Sequence, residues 1–141
     1  MEFTIGRAFA VLILVAVACA RLCEAAEDTN EVSHICTEDH IFDADVKTAW
    51  TAATEEAVTK TPSNGFHYKA ESTAGFLYKT TIWAIGACNG RLDETECSRC
   101  MRSAKDQLDA VCSSFLVNPS VGAQIRLVDC RLRWETYNFD W

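Results

Sequence analysis

The sequence predicts an α+β domain in which helices pack on one side of an antiparallel sheet, and three observations lead there. Apolar residues fall at helical spacing in two stretches, β-prone segments separated by short turns fill two others, and the order along the chain is helix, hairpin, helix, hairpin. Neither a repeat nor a low-complexity linker divides residues 27–141, which therefore form one unit.

Arg7 precedes an unbroken apolar run over residues 8–20, and polar residues begin at Glu27 and Asp28. This is a signal-peptide pattern, because the run is shorter than the roughly 20 residues a membrane-spanning helix needs. No later stretch is long and apolar enough to span a bilayer. Small residues offer cleavage after Ala20 or after Ala26. The first cut keeps Cys23 and an odd set of thiols, whereas the second leaves Cys36, Cys88, Cys97, Cys100, Cys112 and Cys130, an even set. Parity therefore places the leader at residues 1–26 and a single exported, monomeric domain at 27–141.

A first helix is predicted over residues 43–60. Val46, Trp50, Ala53, Ala57 and Val58 share one face, Asp43 and Asp45 lie at its start, and Pro62 follows its end. After a turn at Ser63, Asn64 and Gly65, residues 66–72 and 76–87 form a hairpin about Thr73, Ala74 and Gly75. A second helix is predicted over residues 95–112, with Cys97, Cys100, Met101, Ala104, Leu108 and Val111 on one face and Asp93 and Glu96 as a capping box. The last hairpin spans residues 123–137. There Ile125 and Leu127 alternate with Gln124 and Arg126, and Leu132 and Trp134 with Arg131, Arg133 and Glu135. Trp50, Trp83 and Trp134 are expected in the core, Phe139 and Trp141 at the surface.

The chain carries 20 acidic and 13 basic residues, a net charge of −7 that loss of the leader leaves unchanged. Such a protein repels phosphate backbones and anionic headgroups. Nucleic acid and bare anionic membrane are thereby excluded as partners, unless the basic residues gather on one face.

Cys88, Cys97 and Cys100 form a C-x8-C-x2-C block. The C-x2-C step alone is also a zinc-ligand spacing, but a zinc site wants a second ligand pair, and Cys112 and Cys130 stand alone. Export to an oxidising compartment favours disulfides, so neither metal nor cofactor is expected. His34, His40 and His67 sit in no catalytic or metal motif. Glu55 with Glu56, and Glu38 with Asp39, are surface carboxylates, and oxidised cysteines leave no thiolate nucleophile. No constellation with catalytic roles can be assembled, so an enzyme is not expected.

Cys36, the C-x8-C-x2-C block, Cys112, the run Gly122 and Ala123 through Leu127, Val128, Asp129 and Cys130, and the step Trp134, Glu135 together resemble one family. It is the plant ginkbilobin-type cysteine-rich secreted family, also called the salt-stress-response/antifungal domain, and the likeness covers about residues 32–137. The resemblance implies two helices packed on a five-stranded antiparallel sheet, with disulfides Cys36–Cys112, Cys88–Cys97 and Cys100–Cys130. It also implies a non-catalytic, antifungal role in the apoplast.

In ginkbilobin-like lectins, mannose is held by an Asn after the first cysteine, an Arg in the penultimate strand and a Glu in the last. The corresponding positions here are Thr37, Gln124 and Glu135. Such a trio suits sugar hydroxyls, which donate and accept at once. Thr37 keeps a hydroxyl, and Gln124 still donates but without charge, so mannose binding by these contacts is expected to be weakened. Arg126 shares a strand face with Gln124 but lies about 7 Å along it, and reaches the site only through a shift or bulge. The plainer role of Glu135 is a strand-face carboxylate paired with Arg131 or Arg133. The expected partners are fungal or cell-wall mannose-containing glycans or, alternatively, an extracellular protein docked on the sheet or helix surface. Receptor-like relatives carry two such domains and a membrane span. A single domain without a span points instead to a soluble ligand, inhibitor or lectin.

Overall fold

The computed structural model describes residues 26–37, 44–112 and 121–141. The elements are β1 (Glu31–Cys36), α1 (Ala44–Lys60), β2 (His67–Ala74), β3 (Thr80–Cys88), α2 (Glu94–Val111), β4 (Gly122–Leu127) and β5 (Cys130–Glu135). The strands form one sheet in the order β1-β4-β5-β3-β2, with every neighbouring pair antiparallel. Two helices on a five-stranded antiparallel sheet is the fold class expected from the sequence.

α2 begins where its cap says it should. The Asp93 carboxylate accepts the Glu96 N–H at 2.7 Å, and the Asp93 N–H donates to Glu96 Oε2 at 2.8 Å. α1 is rich in threonine, a modest helix former, and its hydroxyls turn back onto the helix: Thr51 Oγ1 donates to the Lys47 carbonyl at 2.9 Å and the buried Thr54 to that of Trp50 at 2.8 Å. Val46, Ala49, Ala53, Ala57 and Val58 of α1 and Cys97, Cys100, Met101, Ala104 and Leu108 of α2 are buried against Ile82, Ala84, Ile125, Leu127, Leu132 and Trp134 of the sheet. Trp50 meets Trp134 edge-on, 6.3 Å between ring centroids. A Cβ on Gly86 would lie 2.4 Å from Thr61 Oγ1 and 2.6 Å from Met101 Cε. Its absence lets the end of α1 and the middle of α2 press together on β3.

Three disulfides tie this core: Cys36–Cys112 joins β1 to the end of α2, Cys88–Cys97 joins β3 to α2, and Cys100–Cys130 joins α2 to β5. Asp129, in the β4–β5 turn, is buried. Its carboxylate takes a forked pair of hydrogen bonds from Arg91 and a third from the Asp28 N–H at 2.6 Å.

Several local expectations are corrected. The first hairpin does not turn at Thr73–Gly75: β2 runs on through Ala74, which pairs with Thr80, and the connection is residues 75–79. Gly75 has φ +106°, which ends the strand. Three consecutive apolar side chains would occupy both faces of a strand, and Phe76, Leu77 and Tyr78 instead stand in solvent at the tip, 93, 83 and 85% exposed. Trp83 is not in the core. It lies half-buried on the sheet face away from the helices and donates from Nε1 to Glu71 at 3.1 Å. Val111, the last residue of α2, is 40% exposed. Phe139 is buried rather than exposed, whereas Trp141 is 41% exposed as expected. His40, Glu38, Asp39 and Asp43 lie outside the described residues.

Candidate functional site

The helices cover one face of the sheet, so the alternate side chains of every strand form an outer face. Register arranges that face in cross-strand rows. One row runs Ser33, Arg126, Arg131, Ala87, His67, and the next Ile35, Gln124, Arg133, Ile85, Lys69. A third brings Gly122, Glu135, Trp83 and Glu71 together, and the Thr37 N–H donates to the Gly122 carbonyl at 3.0 Å beside it. Successive rows are about 7 Å apart, two residues along a strand.

Thr37, Gln124 and Glu135 therefore meet. With Ile35, Ala123 and Arg133 they line one cavity of about 210 Å³. Glu135 is held at this cavity by its neighbours. A Cβ on Gly122 would lie 1.9 Å from Glu135 Oε2, so only glycine leaves room for the carboxylate there. Arg133 Nε donates to Glu135 Oε1 at 2.8 Å, and both side chains are mostly buried. The same guanidinium donates to the Tyr137 hydroxyl at 3.2 Å and lies 4.4 Å over the Phe139 ring. A positive charge thus stands beside Glu135 after all, on β5 rather than at position 124 of β4. It is Arg133, directly across the ladder from Gln124. Arg126 is exposed and does not line this cavity.

After β5 the chain folds back over the outer face. Lys69 spends its three donors on Asn138 Oδ1, the Phe139 carbonyl and Asp140 Oδ1. Tyr137, Phe139 and Trp141 meet edge to face in series, at 6.3 and 6.5 Å. Lys69 and Arg133 flank Ile85 in the ladder and both approach the Phe139 ring, which buries this apolar spot on an otherwise polar face. The sequence signal for this strap was the spacing of three aromatics at alternate positions, 137, 139 and 141, matching the cations at 131 and 133.

The other candidate groups do not converge. His34 pairs with Glu31 at 2.6 Å, and His67 is exposed at the start of β2. Glu55 pairs with Arg102 at 3.0 Å, and Glu56 accepts from the Tyr68 hydroxyl at 2.8 Å, which pushes the phenol pKa up. Among the described residues no group of three or more His, Cys, Asp or Glu side chains is placed to hold a metal ion.

The family profile for salt stress response/antifungal proteins matches residues 22–137. The chain belongs to this family. Among its relatives, antifungal protein ginkbilobin-like protein 1 of Picea glauca is 28% identical over 116 residues, covering 82% of this chain and 78% of the relative. Antifungal protein ginkbilobin-2 of Ginkgo biloba is 27% identical over 79 residues, 56% of this chain and 54% of the relative. The fold is shared with the tandem DUF26 ectodomain of the Arabidopsis thaliana cysteine-rich receptor-like protein PDLP5, at a TM-score of 0.62 and 27% identity, covering 78% of this chain and 51% of that one. The corresponding ectodomain of PDLP8 superposes at a TM-score of 0.65, with 20% identity. This family member thus spans about half the length of those two ectodomains.

Proposed function

We propose that the chain is a secreted, non-catalytic plant defence protein that binds mannose-type glycans at the outer face of its sheet. The observation that carries this is the single cavity lined by Thr37, Gln124, Arg133 and Glu135. A hydroxyl, an amide, a guanidinium and a carboxylate converge there, and together they can donate to and accept from vicinal sugar hydroxyls. Arg133 takes the place of the guanidinium missing at position 124, so binding does not depend on Arg126. An antifungal role is supported by the names of the Picea and Ginkgo relatives, and an extracellular location by the ectodomain fold. Cleavage after Ala26 retains the Glu27–Arg99 pair at 2.7 Å and the hydrogen bond from the Asp28 N–H to Asp129, as cleavage after Ala20 also would. Chromatography of the mature protein on immobilised mannose tests the proposal. Retention that free mannose reverses and that Glu135→Ala abolishes is expected, and no retention on any mannoside removes the lectin function.

A second reading, docking on an extracellular protein, is favoured by the exposed Phe76, Leu77 and Tyr78 at the β2–β3 tip. Pull-down from apoplastic fluid separates the two. A partner indifferent to Glu135→Ala but lost when the three tip residues become serine marks a docking module.

A further inference from the structure

Arg126 and Arg131 stand directly opposite each other across the β4–β5 ladder, both exposed on the outer face. Like charges in that arrangement destabilise an antiparallel pair. The remaining arginines of the described residues are each neutralised: Arg91 by Asp129, Arg99 by Glu27, Arg102 by Glu55 and Arg133 by Glu135. Among the described residues neither Arg126 nor Arg131 has a carboxylate partner, although the chain carries 20 acidic residues. The acidic side chain of adjacent β1, Glu31, is engaged by His34. Arg131 is instead held with its guanidinium 4.1 Å over the Trp141 ring, a contact that fixes the plane without consuming its N–H donors.

These two side chains, with Ser33, Gln124, Ile125 and Trp141, line a second cavity of about 230 Å³. Gln124 also lines the cavity that holds Glu135, so the two are contiguous on the outer face. The candidate site thus continues into a doubly cationic recess with an aromatic wall.

We infer that Arg126 and Arg131 form an anion subsite that adapts the outer face to an acidic oligosaccharide. A carboxylate or phosphate group on the glycan sits between the two guanidiniums, whose forks match the oxygens of either. The adjoining neutral sugar occupies the cavity around Gln124, Arg133 and Glu135. The net negative charge of the protein disfavours polyanions in general, so the subsite selects a short acidic glycan over an extended phosphate backbone. The subsite rests on the glycan-binding function proposed above, and its test keeps the two apart.

The test is calorimetric titration of the mature, disulfide-intact protein with mannose, mannose 6-phosphate, a short oligogalacturonate, inorganic phosphate and single-stranded DNA, repeated for Arg126→Gln, Arg131→Gln and Glu135→Gln. At low salt one or both acidic sugars are expected to bind at least about tenfold tighter than mannose, as a charge-assisted hydrogen bond implies. That advantage falls with added salt and is lost in each arginine variant, while mannose affinity persists in them and is lost in Glu135→Gln. Whichever acidic sugar binds tighter identifies the anionic group. Equal affinity for neutral and acidic sugars, or an acidic preference that survives both arginine variants, overturns the subsite and leaves the mannose site standing. Inorganic phosphate or DNA binding as tightly as the better acidic sugar also overturns it, by showing a plain anion site. Acidic sugars binding through the arginines without any mannose affinity support the subsite and overturn the mannose site.

Discussion

Arg133 holds Glu135, reaches the Tyr137 hydroxyl and lies under Phe139, so it couples the cavity to the C-terminal strap. Replacing it with alanine removes a charge-assisted donor from the site and is expected to weaken mannoside binding about tenfold or more by calorimetry, with Arg133→Lys restoring only part because the planar fork is lost. Asp129 is a structural counterpart. Asp129→Ala leaves Arg91 and the Asp28 N–H without their acceptor, and a loss of about 3 kcal/mol is expected in urea unfolding, less than for a fully buried pair because Arg91 is partly in water. A hydrogen bond from Arg99 holds the Glu27 pKa below the usual carboxylate value. This tether therefore stabilises the folded N-terminal segment at every pH above the ordinary glutamate range, and the contribution disappears as pH falls through the lowered value. An NMR titration of the Glu27 carboxyl should show that depressed midpoint, and Arg99→Ala should return it to normal.

The elements differ in how well side-chain chemistry announces them. α2 was legible because its capping box and its row of buried apolar residues are both written in side chains. β4 and β5 were legible because one face is apolar against the helices and the other polar. β1 carried no such pattern. Val32 and Ile35 are more than half exposed, and the strand is held by backbone pairing to β4 and by the Cys36–Cys112 bridge, neither of which local spacing encodes. The β2–β3 loop misled because apolar composition implies burial, whereas Phe76, Leu77 and Tyr78 contact water. Replacing these three with serine is expected to shift stability by no more than about 0.5 kcal/mol per site in urea unfolding, as for surface positions away from packed features. A large loss would show that the tip packs against the domain. The candidate site was half legible. Resemblance supplied positions 37, 124 and 135, and the strand pattern offered Arg131 or Arg133 as the partner of Glu135, but only the folded chain selects Arg133 and sets it opposite Gln124.

For the molecule as a whole, three bridges pin α2 to β1, β3 and β5, α1 is held by packing alone, and the helices leave the sheet's other face uncovered. The Cys36–Cys112 bridge closes a loop of 76 residues, and chain entropy assigns it roughly 4 kcal/mol. The pair Cys36→Ala, Cys112→Ala should therefore cause the protein to unfold at markedly lower urea while the other two bridges still form. Intact mass of the secreted protein, measured before and after reduction, is expected to show a chain starting at Glu27 and a gain of two hydrogens per bridge. The central claim is that sugar is recognised on the outer face, and amide chemical-shift mapping of the labelled mature protein with methyl mannoside tests it most directly. Saturable shifts confined to Thr37, Gly122, Gln124, Arg133, Glu135 and the strap at 137–141 are predicted. Shifts centred on the helices or on the β2–β3 tip, or none at millimolar sugar, would contradict it.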